Sequence, residues 1–269
     1  MKKVMLYFGS FNPIHRGHIA MAEYVLDRQL CDQVVMIVSP RNPLKKVADL
    51  APEVDRFEMV ELACAASRHG DRIKASIIEF LLERPSYTIN TLRHLSENYG
   101  ADSQFSILMG GDIIEQLHLW RNYEEILEDY PIYLYPRRNQ VVNRYLDKIT
   151  VLDSAPLQNF SSTDVRRALT DCQSVEAMIT PEVESYIASK SLWLPKGELA
   201  DLNATLKGAP TAENYIARGK FYYRSNEFGK ALNDFNKALA IDNFNTEATE
   251  FKSMIEEIFI FRNTDIYNP

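Results

Sequence analysis

Val4-Met5-Leu6-Tyr7-Phe8-Gly9-Ser10-Phe11-Asn12-Pro13-Ile14-His15-Arg16-Gly17-His18 is the stretch on which the reading of this chain turns. Its opening apolar run is long enough for one strand covered on both faces. Gly9 and Ser10 break that strand, Asn12-Pro13 makes a turn, and from Gly17 an amphipathic run, Ile19 to Leu26, reads as a helix. Strand, tight turn and helix N-terminus together form an anion site, because free backbone N–H groups and the positive end of the helix dipole face the turn. His15 and His18, three residues apart, can address one phosphate from the first helical turn. The plain alternative is a pair of surface histidines near a helix cap. Two of the chain's five histidines standing behind a glycine-broken first strand favour the phosphate reading.

The bulk numbers set bounds on the rest. A chain of 269 residues can bury a full core and leaves room for a small appendage. Hydrophobic content of 46% and charged content of 25% suit an ordinary soluble globular protein. With 30 Lys and Arg against 37 Asp and Glu, the net charge of −7 provides no field for general RNA or DNA binding, so no nucleic-acid partner is expected. Cys31, Cys64 and Cys172 are few and widely spaced, as reduced thiols would be, and no Cys/His spacing resembles a zinc site. The apolar run after Lys2-Lys3 is too short for a signal-peptide core and no later run approaches a membrane span. A cytoplasmic protein with no membrane partner is the expectation.

Gln33 to Val38 reads as a second buried strand, which makes a strand–helix–strand unit and requires a parallel pair with a right-handed crossover. A ligand then belongs at the carboxyl ends of the strands. The loop there, Pro40-Arg41-Asn42-Pro43-Leu44-Lys45-Lys46, is either a solvated basic loop or a phosphate contact. Val54, Phe57, Val60, Leu62 and Ala63 roughly follow a helical period, with Asp55 and Arg56 outside. Arg72 onward reads as a third strand ending near Glu79, and Ser86 or Thr88 as the N-cap of a helix with Thr91 one turn on. Phe105 to Met109 reads as a strand stopped by Gly110-Gly111-Asp112, where Asp112 either accepts from ligand hydroxyls or caps a helix over Ile113 to Leu119. A helix over Tyr123 to Leu127 and strands over Pro131 to Tyr135 and Ile149 to Leu152 follow. A helix then starts in Asn159-Phe160-Ser161-Ser162-Thr163-Asp164-Val165-Arg166-Arg167. Arg166 and Arg167 oppose the dipole of its first turn, which makes sense if an anion binds there. Ser185 to Leu194 closes the domain.

The start Gly9-Ser10-Phe11-Asn12-Pro13-Ile14-His15-x-Gly17-His18 resembles the H-x-G-H nucleotidyltransferase superfamily. Ser86-Tyr87-Thr88-x-x-Thr91-Leu92, Gly110-Gly111-Asp112 with Trp120 downstream, and Phe160-Ser161-Ser162-Thr163-x-x-Arg166 are similar to motifs of one branch, the bacterial nicotinate-nucleotide adenylyltransferases. The resemblance spans residues 1 to about 194 and implies a Rossmann-like doubly wound parallel α/β sheet. It implies an enzyme of NAD biosynthesis that transfers the adenylyl group of ATP to nicotinate mononucleotide by direct in-line displacement, giving deamido-NAD and pyrophosphate. His15, His18 and Arg166 would be catalytic. With Gly9, Ser10, Phe11, Gly110, Asp112, Ser162 and Thr163 they would bind ATP, while Asn12, Lys45, Tyr87, Thr88 and Trp120 would meet the mononucleotide. Mg²⁺ would be held mainly by substrate phosphates, without a protein metal site. Asn12 departs from the Asp of many members, keeping shape and acceptor but losing a charge. Two alternatives stay open. One is another transferase of the superfamily, using nicotinamide mononucleotide or phosphopantetheine. The other is a non-catalytic nucleotide sensor with a helical protein-binding tail.

The catalytic domain is expected over 1–195 and a linker over 196–210, where Gly197, Gly208 and Pro210 stand among few large apolar residues. Ala212 to Asn245 resembles one tetratricopeptide repeat, with Tyr215, Gly219, Tyr222, Ala231, Phe235 and Ala238 at its packing positions. A further helix over Thr246 to Phe261 completes an all-α domain, 211–269. One repeat cannot bury its apolar face alone, so these helices are expected either to dock on the catalytic domain or, the preferred reading, to pair with a second copy as a homo-oligomer.

Overall fold

A computed structural model describes residues 1–40, 50–83, 85–136, 145–155, 160–195 and 197–264, apart from the side chains of Asp112 and 259–264. Two compact units divide the chain, Met1–Trp193 and Leu194–Pro269.

The first unit begins β1 (Lys2–Gly9), α1 (Arg16–Asp27), β2 (Gln33–Val38), α2 (Glu53–Ala65), β3 (Ile73–Ser76), α3 (Ile78–Leu81) and α4 (Thr88–Tyr99). It continues β4 (Ser103–Gly110), α5 (Gly111–Ile114), a 3-10 turn (Leu117–Leu119), α6 (Tyr123–Asp129), β5 (Ile132–Tyr135), β6 (Ile149–Val151), α7 (Ser162–Thr170) and α8 (Pro181–Lys190). All six strands are parallel in one sheet of order 3-2-1-4-5-6, a doubly wound Rossmann-like architecture. Val4 to Phe8 is buried throughout, as a central parallel strand covered on both faces requires. Strand order reverses between β1 and β4, so a crevice opens beyond their carboxyl ends, at Gly9 and Gly110.

Several local expectations change. The inward stripe of α2 is Arg56, Met59, Val60, Ala63 and Cys64, whereas Val54 is 64% exposed. An arginine inside the core put the apolar period out of phase. Glu79 lies in α3 rather than at the end of a strand, since β3 stops at Ser76. Tyr87, not Ser86 or Thr88, is the N-cap residue of α4, and Gly110 that of α5; Asp112 sits inside the first turn, and Ile113 to Leu119 is broken into two short pieces. The last helix of the unit, over the stretch read as closing the domain, runs from Pro181 and is capped by the Thr180 hydroxyl.

The second unit holds α9 (Glu198–Gly208), α10 (Ala212–Arg224), α11 (Phe228–Ile241) and α12 (Thr246–Thr264). The stretch read as a linker is therefore mostly helical; only Asn203 and Leu206 of α9 are buried, too thin a stripe to show as periodicity. Gly219 lets α10 and α11 meet closely, because a Cβ there would lie 2.7 Å from Phe235 Cε1. Tyr222, Ala231, Phe235 and Ala238 are buried between the helices, and Tyr215 packs partly buried against them. Arg218 adds a buried polar clamp, bidentate to Asp234 at 2.7 Å on each arm and donating to Asn203 Oδ1 at 2.6 Å. Among the described residues no helix is long and apolar enough to cross a membrane.

Candidate active site

The loop from Gly9 to His15 is held in shape by its own packing and by its neighbours. Phe11 has φ of 43°, in the left-handed region, at a cost of about 1–3 kcal/mol. Burial of its ring to 3% exposure offsets this, and the ring lies on Gly9, where a Cβ would stand 2.7 Å from Phe11 Cζ. Gly9 is thus required by close approach.

Two sets of bonds then fasten the loop. On one side Asn12 Oδ1 accepts the Ala51 N–H at 3.0 Å. The buried Arg56 guanidinium donates to Ser10 O and Ser39 O at 2.7 Å, to Pro40 O at 2.8 Å and to Ala51 O at 3.1 Å. Burial lowers the Arg56 pKa to about 10, which still leaves it charged at neutral pH. On the other side the Ser162 hydroxyl donates to Pro13 O at 2.8 Å, and Arg166 Nη1 to Asn12 O at 2.7 Å. The start of α7 and the histidine loop are therefore one assembly.

His15 is the N-cap residue of α1, and its ring stacks on that of His18, with centroids 3.6 Å apart. The His15 N–H donates to His18 Nδ1 at 3.2 Å. That bond assigns the proton of neutral His18 to Nε2, leaving an N–H donor on the far edge of the ring. Tyr7 and Phe11 meet the His18 ring at 5.9 and 5.1 Å, and Phe160 meets His15 edge-on at 5.3 Å. A pocket lined by Tyr7, His15, His18, Gly110, Tyr135 and Phe160 lies at the carboxyl ends of β1, β4 and β5. At its side α7 begins with a reciprocal cap: Ser161 N–H donates to Asp164 Oδ2 at 2.9 Å, and Asp164 N–H to Ser161 Oγ at 3.3 Å. The hydrogen bond from the Ser161 hydroxyl is the main cause holding the Asp164 carboxyl below its usual range.

Arg166 also donates to Thr163 Oγ1 at 3.3 Å, so it is aligned from two sides. Arg167 is different, since it pairs with Asp164 at 2.9 Å and is largely exposed, which accounts for its charge without a ligand. Farther along the same sheet edge, Tyr87 and Trp120 pack on one apolar cluster with Phe8 and Met109. The Arg121 guanidinium lies 5.0 Å above the Tyr87 ring. Thr88 opens α4, whose first-turn N–H groups form a second anion-seeking end.

The structure thus joins Gly9, Ser10, Phe11, Asn12, His15, His18, Gly110, Ser162, Thr163 and Arg166 around one loop and pocket. Tyr87, Thr88 and Trp120 form a neighbouring group. The acceptor atom of Asn12 is turned to Ala51. Lys45 and the side chain of Asp112 lie outside the described residues. Sequence reasoning missed Arg56, Glu79 and Arg121. For Arg56 the signal was present, three and four residues before Met59 and Val60 on the buried stripe.

The cytidylyltransferase-like family pattern matches residues 6–168. A probable nicotinate-nucleotide adenylyltransferase from Flavobacterium johnsoniae is 42% identical over 189 residues, covering 69% of this chain and 95% of that one. One of the same name from Cytophaga hutchinsonii is 39% identical over 193 residues, 71% of this chain and 98% of the relative. The solved structure of Plasmodium falciparum nicotinic acid mononucleotide adenylyltransferase complexed with NaAD superimposes with a TM-score of 0.63 at 18% identity, over 72% of this chain and 98% of that one, which is a likeness of fold. On these grounds the chain belongs to the cytidylyltransferase-like family, among its nicotinate-nucleotide adenylyltransferases.

Proposed function

We propose that this enzyme adenylylates nicotinate mononucleotide with ATP, releasing pyrophosphate and forming deamido-NAD. The observation that carries the reading is the fastening of the α7 start to the histidine loop at the switch point of the sheet. The names of the relatives support the acceptor.

In this reading a phosphate oxygen of the mononucleotide attacks the α-phosphorus of ATP in line. The new P–O bond forms as the bond from the α-phosphorus to the α,β-bridging oxygen of ATP breaks, and that oxygen leaves on pyrophosphate. The nucleophile is already anionic at neutral pH, so no general base is needed. The work left to the protein is to hold two repelling anions together and to stabilise charge at the α-phosphate. His18 Nε2–H, His15, Arg166 and the first-turn amides of α7 are suited to the triphosphate, with Ser162 and Thr163 holding them in register. Gly110 and Asp112 would approach the adenosine. Thr88 and Tyr87, at the N-terminus of α4, would take the pyridine carboxylate, with Trp120 stacking on the ring and Lys45 reaching phosphate. Mg²⁺ would be held mainly by the triphosphate oxygens and water, where it would neutralise charge.

Initial rates of pyrophosphate release with ATP and either mononucleotide test the acceptor. A kcat/KM for the nicotinate form at least about tenfold above the nicotinamide form is expected, as for a helix end that favours a carboxylate over an amide. A preference for nicotinamide mononucleotide would refute the assignment.

A further inference from the structure

Glu79 is a carboxylic acid at 2% exposure, outside the machinery named above. Its Oε1 accepts from Thr91 Oγ1 at 3.1 Å, and the Ser39 side chain also hydrogen-bonds its carboxyl. Its main-chain carbonyl accepts from Ser86 Oγ at 3.4 Å. Thr91, fully buried, stands one turn into α4; the Tyr87 carbonyl accepts the N–H groups of Asn90 and Thr91 at 2.9 and 3.4 Å. Ser39 follows β2 directly, and its carbonyl is one of those held by Arg56. The carboxyl therefore bridges the end of β2 and the first turn of α4.

We propose that Glu79 is a positioning residue for the mononucleotide half of the site, fixing the first turn of α4, and with it Tyr87 and Thr88, against the end of β2. The inference rests on the acceptor reading above. Among the described residues no cation pairs with this carboxyl, and burial raises its pKa above the ordinary 4.5. The carboxyl presents two polar atoms to two hydroxyls, each of which can donate or accept. Glutamine offers the same pair in the same shape. Leucine fills the space and leaves the Ser39 and Thr91 hydroxyls without it.

The test is steady-state pyrophosphate release by the full chain, varying ATP and nicotinate mononucleotide separately. Glu79→Gln is expected to stay within about twofold of wild type in every constant. Glu79→Leu is expected to raise KM for the mononucleotide about tenfold or more, while KM for ATP moves by less than about twofold, because only the acceptor half is displaced. Thr91→Val, a smaller change that spares the carboxyl, is expected to move the same constant in the same direction. Equal rises in both KM values for Glu79→Leu, a Gln variant no better than the Leu variant, or an unchanged mononucleotide KM in Thr91→Val would each overturn the proposal. Wild type releasing no pyrophosphate with these two substrates would defeat the acceptor reading itself and this inference with it, a failure visible before any variant is made.

Discussion

Arg56 carries a charge to a position with no exposed surface, and four main-chain carbonyls receive it. Those carbonyls belong to the histidine loop, to the end of β2 and to the segment before α2, so one side chain sets their spacing. Replacing it with methionine keeps much of the volume but leaves the carbonyls buried and short of donors, at about 1–3 kcal/mol for each that water cannot reach. Arg56→Met is therefore expected to lose at least about 3 kcal/mol of stability in urea unfolding and to lower kcat as the loop relaxes. Stability within about 0.5 kcal/mol of wild type would count against the clamp. Such a residue hides in a sequence because side-chain charge ordinarily predicts exposure. Gly9 and the two histidines were legible for the opposite reason. Their chemistry depends on local spacing, which is what a sequence displays.

At the scale of elements, the central strands and the helices behind them were readable because buried parallel strands leave apolar runs and helices leave a period. What went unread was decided by tertiary partners. Glu79 looked like the end of a strand because α3 is a single turn whose buried face is one carboxylate. α9 looked like a linker because its thin buried stripe holds an asparagine, Asn203, whose side-chain oxygen accepts from Arg218. The convergence of α7 with the histidine loop was likewise invisible in separations of 149 and 154 residues, and the two arginines expected in the first turn lie beyond it, Arg167 in the last turn, because the helix starts at Ser162 with Asp164 in its first turn. The α7 cap gives a pH prediction. A lowered carboxylate pKa contributes stability that is present above the unfolded value, near 3.8, and is lost as pH falls through the folded value. Ser161→Ala removes the main cause of that shift, so the variant is expected to be about 1 kcal/mol less stable at neutral pH. The gap should narrow as pH drops below 3.8. Unfolding midpoints measured from neutral to acid check this; a gap that widens on acidification contradicts it.

For the whole molecule, every residue assigned to the reaction lies in Met1–Trp193, and each unit has its own apolar cluster. The aligned region takes up 95% of the Flavobacterium johnsoniae relative but only 69% of this chain, and the family pattern ends at residue 168, within the first unit. A chain ending at Trp193 is therefore expected to keep kcat within about threefold of the full chain, because no proposed contact with substrate is lost. A fall of about a hundredfold or more would show that the second unit takes part in catalysis. Ile241 and Phe244, 56% and 86% exposed, are apolar residues of that unit open to a second copy. If the C-terminal helices hold an oligomer, the solution mass of the shortened chain falls to that of a monomer.

The two stacked imidazoles beyond the end of β1 are proposed to act on the triphosphate, and the decisive measurement is pyrophosphate release by His18→Ala with ATP and nicotinate mononucleotide. Loss of an aligned N–H donor facing developing charge predicts a drop in kcat of about 10²–10³ in a variant that still folds, less stable by about 1 kcal/mol because the bond from the His15 N–H is lost. Turnover equal to wild type in a folded variant would contradict it.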